Sequence, residues 1–340
     1  MSERLALVTG SAGEMGHRLI PELYERGFGI VSVDLRAPSP QLSGHCRESV
    51  DASILDDRAM HGLFAKYRFT HVFHLAAILS SKAEQDPGLA HRVNVEGTFA
   101  LFRLCLQLAE ETGVSPRLMF PSSIAVYGLP DARTKRRQGP VKESEWLVPS
   151  GMYGCNKLYC ELIGNYLSSR RLDGGAPPLD FRSIRFPGLI SADTLPSGGT
   201  TDYAPEMIHA AAQGKSYACF VSEETRLPFM TMPDSVDALL RLAEADVDRL
   251  STRVYNIKAF SVSAGELREE VRRHFPGAEI TFGPVASKQA IVDSWPEDVD
   301  DELARRDWGL APRHGFAEAL GDYLVPALRG RYAHGAPADR

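Results

Sequence analysis

Tyr153 and Lys157 stand four residues apart in Tyr-Gly-Cys-Asn-Lys, one helical turn, so on a helix their side chains share a face. A free phenol titrates near pH ~10, too high for a base at neutral pH. A cation close by favours the phenolate and lowers that value. Lys157 is placed to do this and to bond a ribose. A base of this kind needs a substrate hydroxyl beside it and a donor to hold that oxygen. Ser123, at the end of the apolar run that starts at Arg117, is the expected donor. Ser123, Tyr153 and Lys157 thus point to proton removal from an alcohol as hydride leaves its carbon. No serine sits in a Gly-x-Ser-x-Gly elbow, which argues against a serine nucleophile. Cys155 falls on the far side of that helix and reads as an inert thiol.

Hydride needs an acceptor, and the N-terminal stretch supplies a place for one. Leu5 to Val8 reads as a strand, and Gly10, Gly13 and Gly16 follow at intervals of three. Glycines there let the backbone approach a pyrophosphate, which a Cβ would block. Glu14 and Met15 open a helix whose apolar stripe is Met15, Leu19, Ile20 and Leu23. Its free N–H groups and positive dipole end would face the phosphates. The next strand runs from Gly29 to Val33 and ends at Asp34. A carboxylate there accepts bonds from the adenosine ribose hydroxyls and repels a 2′-phosphate. The expected cofactor is therefore NAD rather than NADP, a preference that Arg36 weakens slightly. The stretch after the third strand, with Asp51 and Ile54, is expected to meet the adenine. A fourth strand starts at His71 and leads into Leu75, Ala76 and Ala77, small enough at 76 and 77 to run beside the cofactor.

The elements that position these residues alternate strand and helix up to about residue 186, the pattern of a parallel sheet with helices on both faces. The expected fold is α/β: a Rossmann-like doubly wound parallel sheet with a smaller C-terminal α/β domain. Residues 1–186 would bind NAD and 187–330 the substrate, with some segments returning to the main sheet; 331–340 would be a disordered tail. The polar stretch from Leu129 to Pro149, with Arg133, Lys135, Arg136 and Arg137, reads as a long solvated loop. The formal charge of −6 on 340 residues argues against a nucleic-acid partner. The sequence shows neither a membrane span nor a signal peptide core. Five cysteines without a Cys-x-x-Cys pair suit a reducing, cytoplasmic setting. His71 and His74 would face opposite sides of a strand, so no metal is expected.

Taken together, Gly10 to Gly16, Asp34, Asn94-Val-Glu-Gly-Thr98, Ser123 and the Tyr153/Lys157 pair resemble the extended short-chain dehydrogenase/reductase (NAD-dependent epimerase/dehydratase) family. Within it the second half is most similar to the short-chain L-threonine 3-dehydrogenases, through Arg182 to Ser191, Gly198-Gly-Thr-Thr-Asp-Tyr-Ala204, Glu224 to Met230, Met232-Pro-Asp234 and Asp293-Ser-Trp-Pro296. That resemblance implies NAD-dependent oxidation of the threonine β-hydroxyl to 2-amino-3-oxobutanoate. It adds Asn94, Pro121, Ser122, Phe186 and Leu189 to the cofactor residues, which also include Tyr153 and Lys157. It places Ser80, Ser123, Tyr153, Thr200 and Trp295 around the substrate, and it implies a homodimer through the helices that begin near Leu89 and Tyr153. Gly151 stands where the family usually has threonine, and the 129–149 stretch is longer than in threonine dehydrogenases. A nucleotide-sugar epimerase/dehydratase, or a sugar-acid dehydrogenase of the erythronate type, is therefore the alternative.

Overall fold

A computed structural model describes residues 4–169, 178–196 and 198–333. In chain order its strands are β1 (Leu5–Thr9), β2 (Gly29–Asp34), β3 (Glu48–Asp51), β4 (His71–His74), β5 (Arg117–Ser123), β6 (Asp180–Phe186), β7 (Gly188–Ile190), β8 (Tyr217–Cys219), β9 (Arg226–Thr231), β10 (Val254–Asn256), β11 (Phe260–Ser263) and β12 (Ile280–Phe282). The chain separates into two compact units. One holds Met1–Ser123, Met152–Arg185 and Leu239–Tyr255; the other holds Ile124–Gly151, Phe186–Ala238 and Asn256–Arg340.

The first unit is built on a seven-stranded sheet in the order β10-β6-β5-β4-β1-β2-β3. β1 pairs in parallel with both β2 and β4, and β2/β3 and β4/β5 are parallel too. Every residue of β1 is buried, which is why Leu-Ala-Leu-Val carries no polar alternation: helices cover both faces of such a strand. The Glu14–Glu25 helix buries Gly16, Leu19, Ile20 and Leu23, the expected stripe less Met15. The Thr98–Thr112 helix buries Leu101, Phe102, Leu104, Cys105 and Leu108. Its start continues an Arg92–Gly97 π-turn. Strand order reverses between β1 and β4, and in doubly wound sheets ligands bind at the carboxyl ends beside that reversal. Thr9 lies opposite Val33 and His74 in the register, and Asp34 opposite Asp51. One sheet edge thus gathers candidates from distant parts of the chain.

Arg182 is fully buried on β6. Its guanidinium donates to both Asp180 carboxylate oxygens and to the carbonyls of Leu242 and Ala245 at the end of the Met232–Glu244 helix. Four helix-end and carboxylate partners satisfy a charge that would otherwise be costly in the interior.

The second unit holds a three-stranded sheet, β11-β9-β7, and the pair β12-β8. Helices run over Tyr203–Ala212, Met232–Glu244 and Ala264–His274, the last with a Ser263/Glu266 capping box. Two expectations change. The basic stretch in 129–149 is not all loop: Ala132–Gln138 is helical, started by Asp131, whose side chain accepts from Thr134 N. The tail expected from 331 is ordered in its first residues: the Val325–Ala333 helix is held by Tyr332 Oη on His209 and by Arg331 on the Ala192 and Asp193 carbonyls. The rest of that tail, 334–340, lies outside the described residues.

Candidate active site

The glycine loop is shaped by contacts that only glycine allows. Gly10 has φ +69°, and a Cβ there would lie 2.5 Å from Ala76 N. The loop therefore lies directly against the Leu75–Ala76 backbone after β4. At Gly16 a Cβ would meet Ser11 O at 2.2 Å, so the helix sits tight on the loop. Gly13 precedes the helix with no side-chain cap hydrogen bond, and the positive end of the helix dipole there favours an anion. Asp34 braces the same loop: its carboxylate accepts from Ala12 N at 2.9 Å and from Arg36 N at 3.1 Å. The Arg36 side chain reaches Ala12 O. A cradle that a Cβ would fill, a helix start behind it and a strand-end carboxylate fit a dinucleotide.

Further along the edge, His74 is buried between Thr9 Oγ1 (2.7 Å) and Thr98 Oγ1 (2.9 Å). Burial lowers its pKa to about 3, so it stays neutral and fixes β1, β4 and the Thr98 helix together. Asn94 sits in the π-turn and bonds Ile78 at both ends of its amide: Oδ1 accepts from N at 2.7 Å and Nδ2 donates to O at 3.0 Å. Its side chain braces the segment that carries Leu75 to Ala77. Ile54 is buried and would touch a Cβ on Gly97, and Asp51 is exposed at the end of β3.

Tyr153 and Lys157 lie on the Met152–Ser169 helix, as their spacing predicts. Glu84 supports its start, accepting from Met152 N at 2.6 Å; Glu84 shares a short helix, Ser80–Gln85, with Ser80. Lys157 is buried, donates to Pro121 O at 2.6 Å, and lies 4.5 Å from the Phe120 ring centre and 5.5 Å from that of Tyr153. Pro121 is two residues before Ser123 on β5, so this bond ties the helix to the strand that ends in the expected donor. Electrostatically the pair differs from the expectation. Burial pushes the Tyr153 phenol well above its ordinary range, and burial lowers Lys157 to about 8. Desolvation disfavours each charged form and is the leading cause at both groups.

Glu161 and Arg185 were not among the expected site residues. Glu161 is one further turn along the face of Tyr153 and Lys157, is buried, and accepts from the Ser122 hydroxyl and from Arg185. A carboxylate four residues after Lys157, on the same helix face, was the available signal. Cys155 is exposed, on the outer side of the helix.

Phe186, Leu189, Thr200 and Trp295 belong to the second unit. Phe186 is buried at the end of β6, and Leu189 is half-buried on β7. Thr200 is buried in its turn. The Gly198 and Gly199 amides both donate to Asp202 Oδ2 at 2.7 Å; this turn spends those two N–H groups on its own carboxylate. Trp295 is buried, and its segment is clasped by the 129–150 stretch. Lys135 Nζ donates to Val292 O (2.8 Å), Leu129 N to Ser294 O (2.8 Å), and Val141 N to Asp298 O (3.0 Å). Lys135, expected in solvent, is buried by this contact, and burial lowers it to about 8. Only assembly with a segment 157 residues away explains that, so local charge patterning could not reveal it.

Comparison with known proteins agrees with this architecture. Residues 6–257 match the model of the NAD dependent epimerase/dehydratase family. The mitochondrial L-threonine 3-dehydrogenase of Bos taurus is 36% identical over 319 residues, covering 92% of this chain and 79% of the relative. An epimerase/dehydratase of Staphylococcus haemolyticus, itself uncharacterized, is 33% identical over 92% of this chain and 93% of its own length. Among solved structures, the Trypanosoma brucei L-threonine 3-dehydrogenase superposes with TM-score 0.81 at 35% identity, covering 96% of this chain and 98% of that one. An apo, monomeric L-threonine 3-dehydrogenase from a metagenome gives TM-score 0.83 at 33% identity, covering 96% and 99%. With a glycine cradle, a strand-end acid and a Tyr/Lys helix in one sheet-edge arrangement, the chain belongs to the NAD dependent epimerase/dehydratase family.

Proposed function

We propose that the protein oxidises the β-hydroxyl of L-threonine to give 2-amino-3-oxobutanoate. The observation that carries this reading is the Tyr153/Lys157 helix bonded to β5 just before Ser123, in a chain similar along nearly its whole length to L-threonine 3-dehydrogenases. NAD, when bound, accepts the hydride. Ser123 holds the substrate hydroxyl, Tyr153 takes its proton, and Lys157 stabilises the phenolate as it forms. The first unit binds the dinucleotide through Gly10 to Gly16, Asp34, Asp51, Ile54 and Leu75 to Ala77. Thr200 and Trp295 are assigned to substrate contact by the resemblance to threonine dehydrogenases. A screen of NADH formation tests this reading. Turnover is expected with L-threonine, and turnover confined to UDP-sugars or to erythronate-type acids would replace it with the alternative.

Asp34→Ala is expected to shift the kcat/KM ratio for NADP over NAD upward by at least tenfold, because the repelling carboxylate is gone and Arg36 remains beside the loop. An unchanged ratio would remove Asp34 from the ribose site.

We also assign a homodimer and a cytoplasmic setting. Tyr159, Leu162 and Tyr166 follow one another at three and four residues along the catalytic helix and are 50%, 58% and 55% exposed; Phe99 on the neighbouring long helix is 43% exposed. An apolar stripe of this size supports a partner surface. Leu162→Glu should convert a dimer to a monomer on sedimentation; a wild-type protein that is already monomeric, like the metagenomic neighbour, would end this assignment. None of the five cysteines is in a disulfide, and among the described residues no helix is long and apolar enough to cross a membrane.

A further inference from the structure

We propose that the buried Glu161–Arg185 ion pair is a positioning device that holds the proton-transfer helix in register with the end of β5. The inference rests on the reading of Ser123, Tyr153 and Lys157 given above. Glu161 and Arg185 have side chains only 2% and 3% exposed. Arg185 donates Nε to Oε1 at 2.9 Å and Nη2 to Oε2 at 2.7 Å, a two-pronged geometry that fixes orientation as well as distance. The Ser122 hydroxyl donates to Oε1 of the same carboxylate. One carboxylate thereby joins three elements: the helix carrying Tyr153, the β5 residue next to Ser123, and the last β6 residue before Phe186.

Two features argue for positioning rather than plain cohesion. An interior ion pair is commonly no more stabilising than well-packed apolar residues of the same volume, so cohesion alone gives no reason to keep charges here. The second feature is the spacing. Lys157 bonds Pro121 O and Glu161 receives the Ser122 hydroxyl. These are consecutive links, one helical turn apart on the helix and one residue apart on the strand. A helix held at two such points can neither slide along β5 nor roll over it, whereas a single link would leave both motions open.

The same carboxylate supports the charge on Lys157. The groups facing that ammonium are Tyr153, Cys160 and Glu161 from its own helix and His74 from β4, with Arg185 of β6 behind Glu161. Burial keeps His74 neutral and Cys160 protonated. Glu161 opposes the burial that lowers Lys157.

The test is Glu161→Gln, with Ser122→Ala as the milder variant that leaves the ion pair in place. In Glu161→Gln, kcat with L-threonine is expected to fall about 10²-fold, as for a misplacement of about 1 Å, with KM for threonine and NAD little changed. The limb of the pH profile that reports Lys157 should move to lower pH, because a neutral neighbour no longer favours the ammonium. Ser122→Ala should lower kcat several-fold at an unchanged melting temperature. A lowered melting temperature with wild-type kcat and an unshifted limb in Glu161→Gln would reduce the pair to a structural brace. Wild-type kcat in Ser122→Ala would overturn the proposal even if Glu161→Gln does not fold. Tyr153→Phe separates the two levels: full activity in that variant defeats the underlying reading, while an inactive Tyr153→Phe beside a normal Glu161→Gln defeats this inference alone.

Discussion

Tyr153→Phe is expected to lose about 10²–10⁴-fold in kcat, the usual worth of a general base, while its NAD affinity stays near wild type. The variant removes one oxygen and leaves the half-buried ring, the Lys157–Pro121 bond and the glycine cradle in place. Stopped-flow NADH formation and NAD titration by fluorescence measure the two quantities on one sample. Because burial raises the Tyr153 pKa, wild-type turnover should also rise as pH increases from neutrality, until Lys157, lowered by burial to about 8, loses the charge that supports the phenolate. The phenol gives up its proton more readily as the solution becomes more basic. Near wild-type kcat in Tyr153→Phe would refute the assignment.

Gly10→Ala is expected to have the second largest effect, on the cofactor side. At φ +69° an alanine sits in the left-handed region, at a cost of about 1–2 kcal/mol. The new methyl would also lie 2.5 Å from Ala76 N and 2.8 Å from Leu75 C, backbone atoms that cannot swing aside. Relief requires the loop and the β4 exit to part by roughly 1 Å, and displacements of that size cost about 10²-fold. The expected result is a fall of that order in kcat/KM for NAD, together with a lower melting temperature. Wild-type NAD kinetics in this variant would mean that the loop does not cradle the pyrophosphate.

Much of the fold was legible because its signals are local. The run Leu5 to Val8, three glycines and a stripe at Leu19, Ile20 and Leu23 specify a strand, a tight turn and a helix within a few residues of one another. The Tyr153/Lys157 face was equally plain from a spacing of four. What could not be read depends on contacts between distant segments. The burial of Lys135 needs Val292, and the Glu161–Arg185 pair needs β6 to lie beside the catalytic helix. The phenol of Tyr153 shows the same limit in another form: spacing places a cation nearby, but only packing decides how much water both groups lose, and here desolvation prevails. The short helix at Ala132 did have a local mark, the Asp131 cap, which four basic side chains outweighed in a reading by charge.

The buried Arg182 on β6 has a consequence for how the chain matures at the ribosome. Its carbonyl partners, Leu242 and Ala245, and the edge strand β10 are translated well after β6. Until they emerge, the guanidinium has only Asp180 to satisfy it and β6 remains an open edge, a surface that invites pairing with the wrong chain. At about 5–20 residues per second that interval is of the order of ten seconds per molecule. The nascent dinucleotide-binding unit therefore waits on sequence that lies beyond two segments of the second unit, and a gene truncated after β6 would encode an incomplete sheet rather than a separable domain.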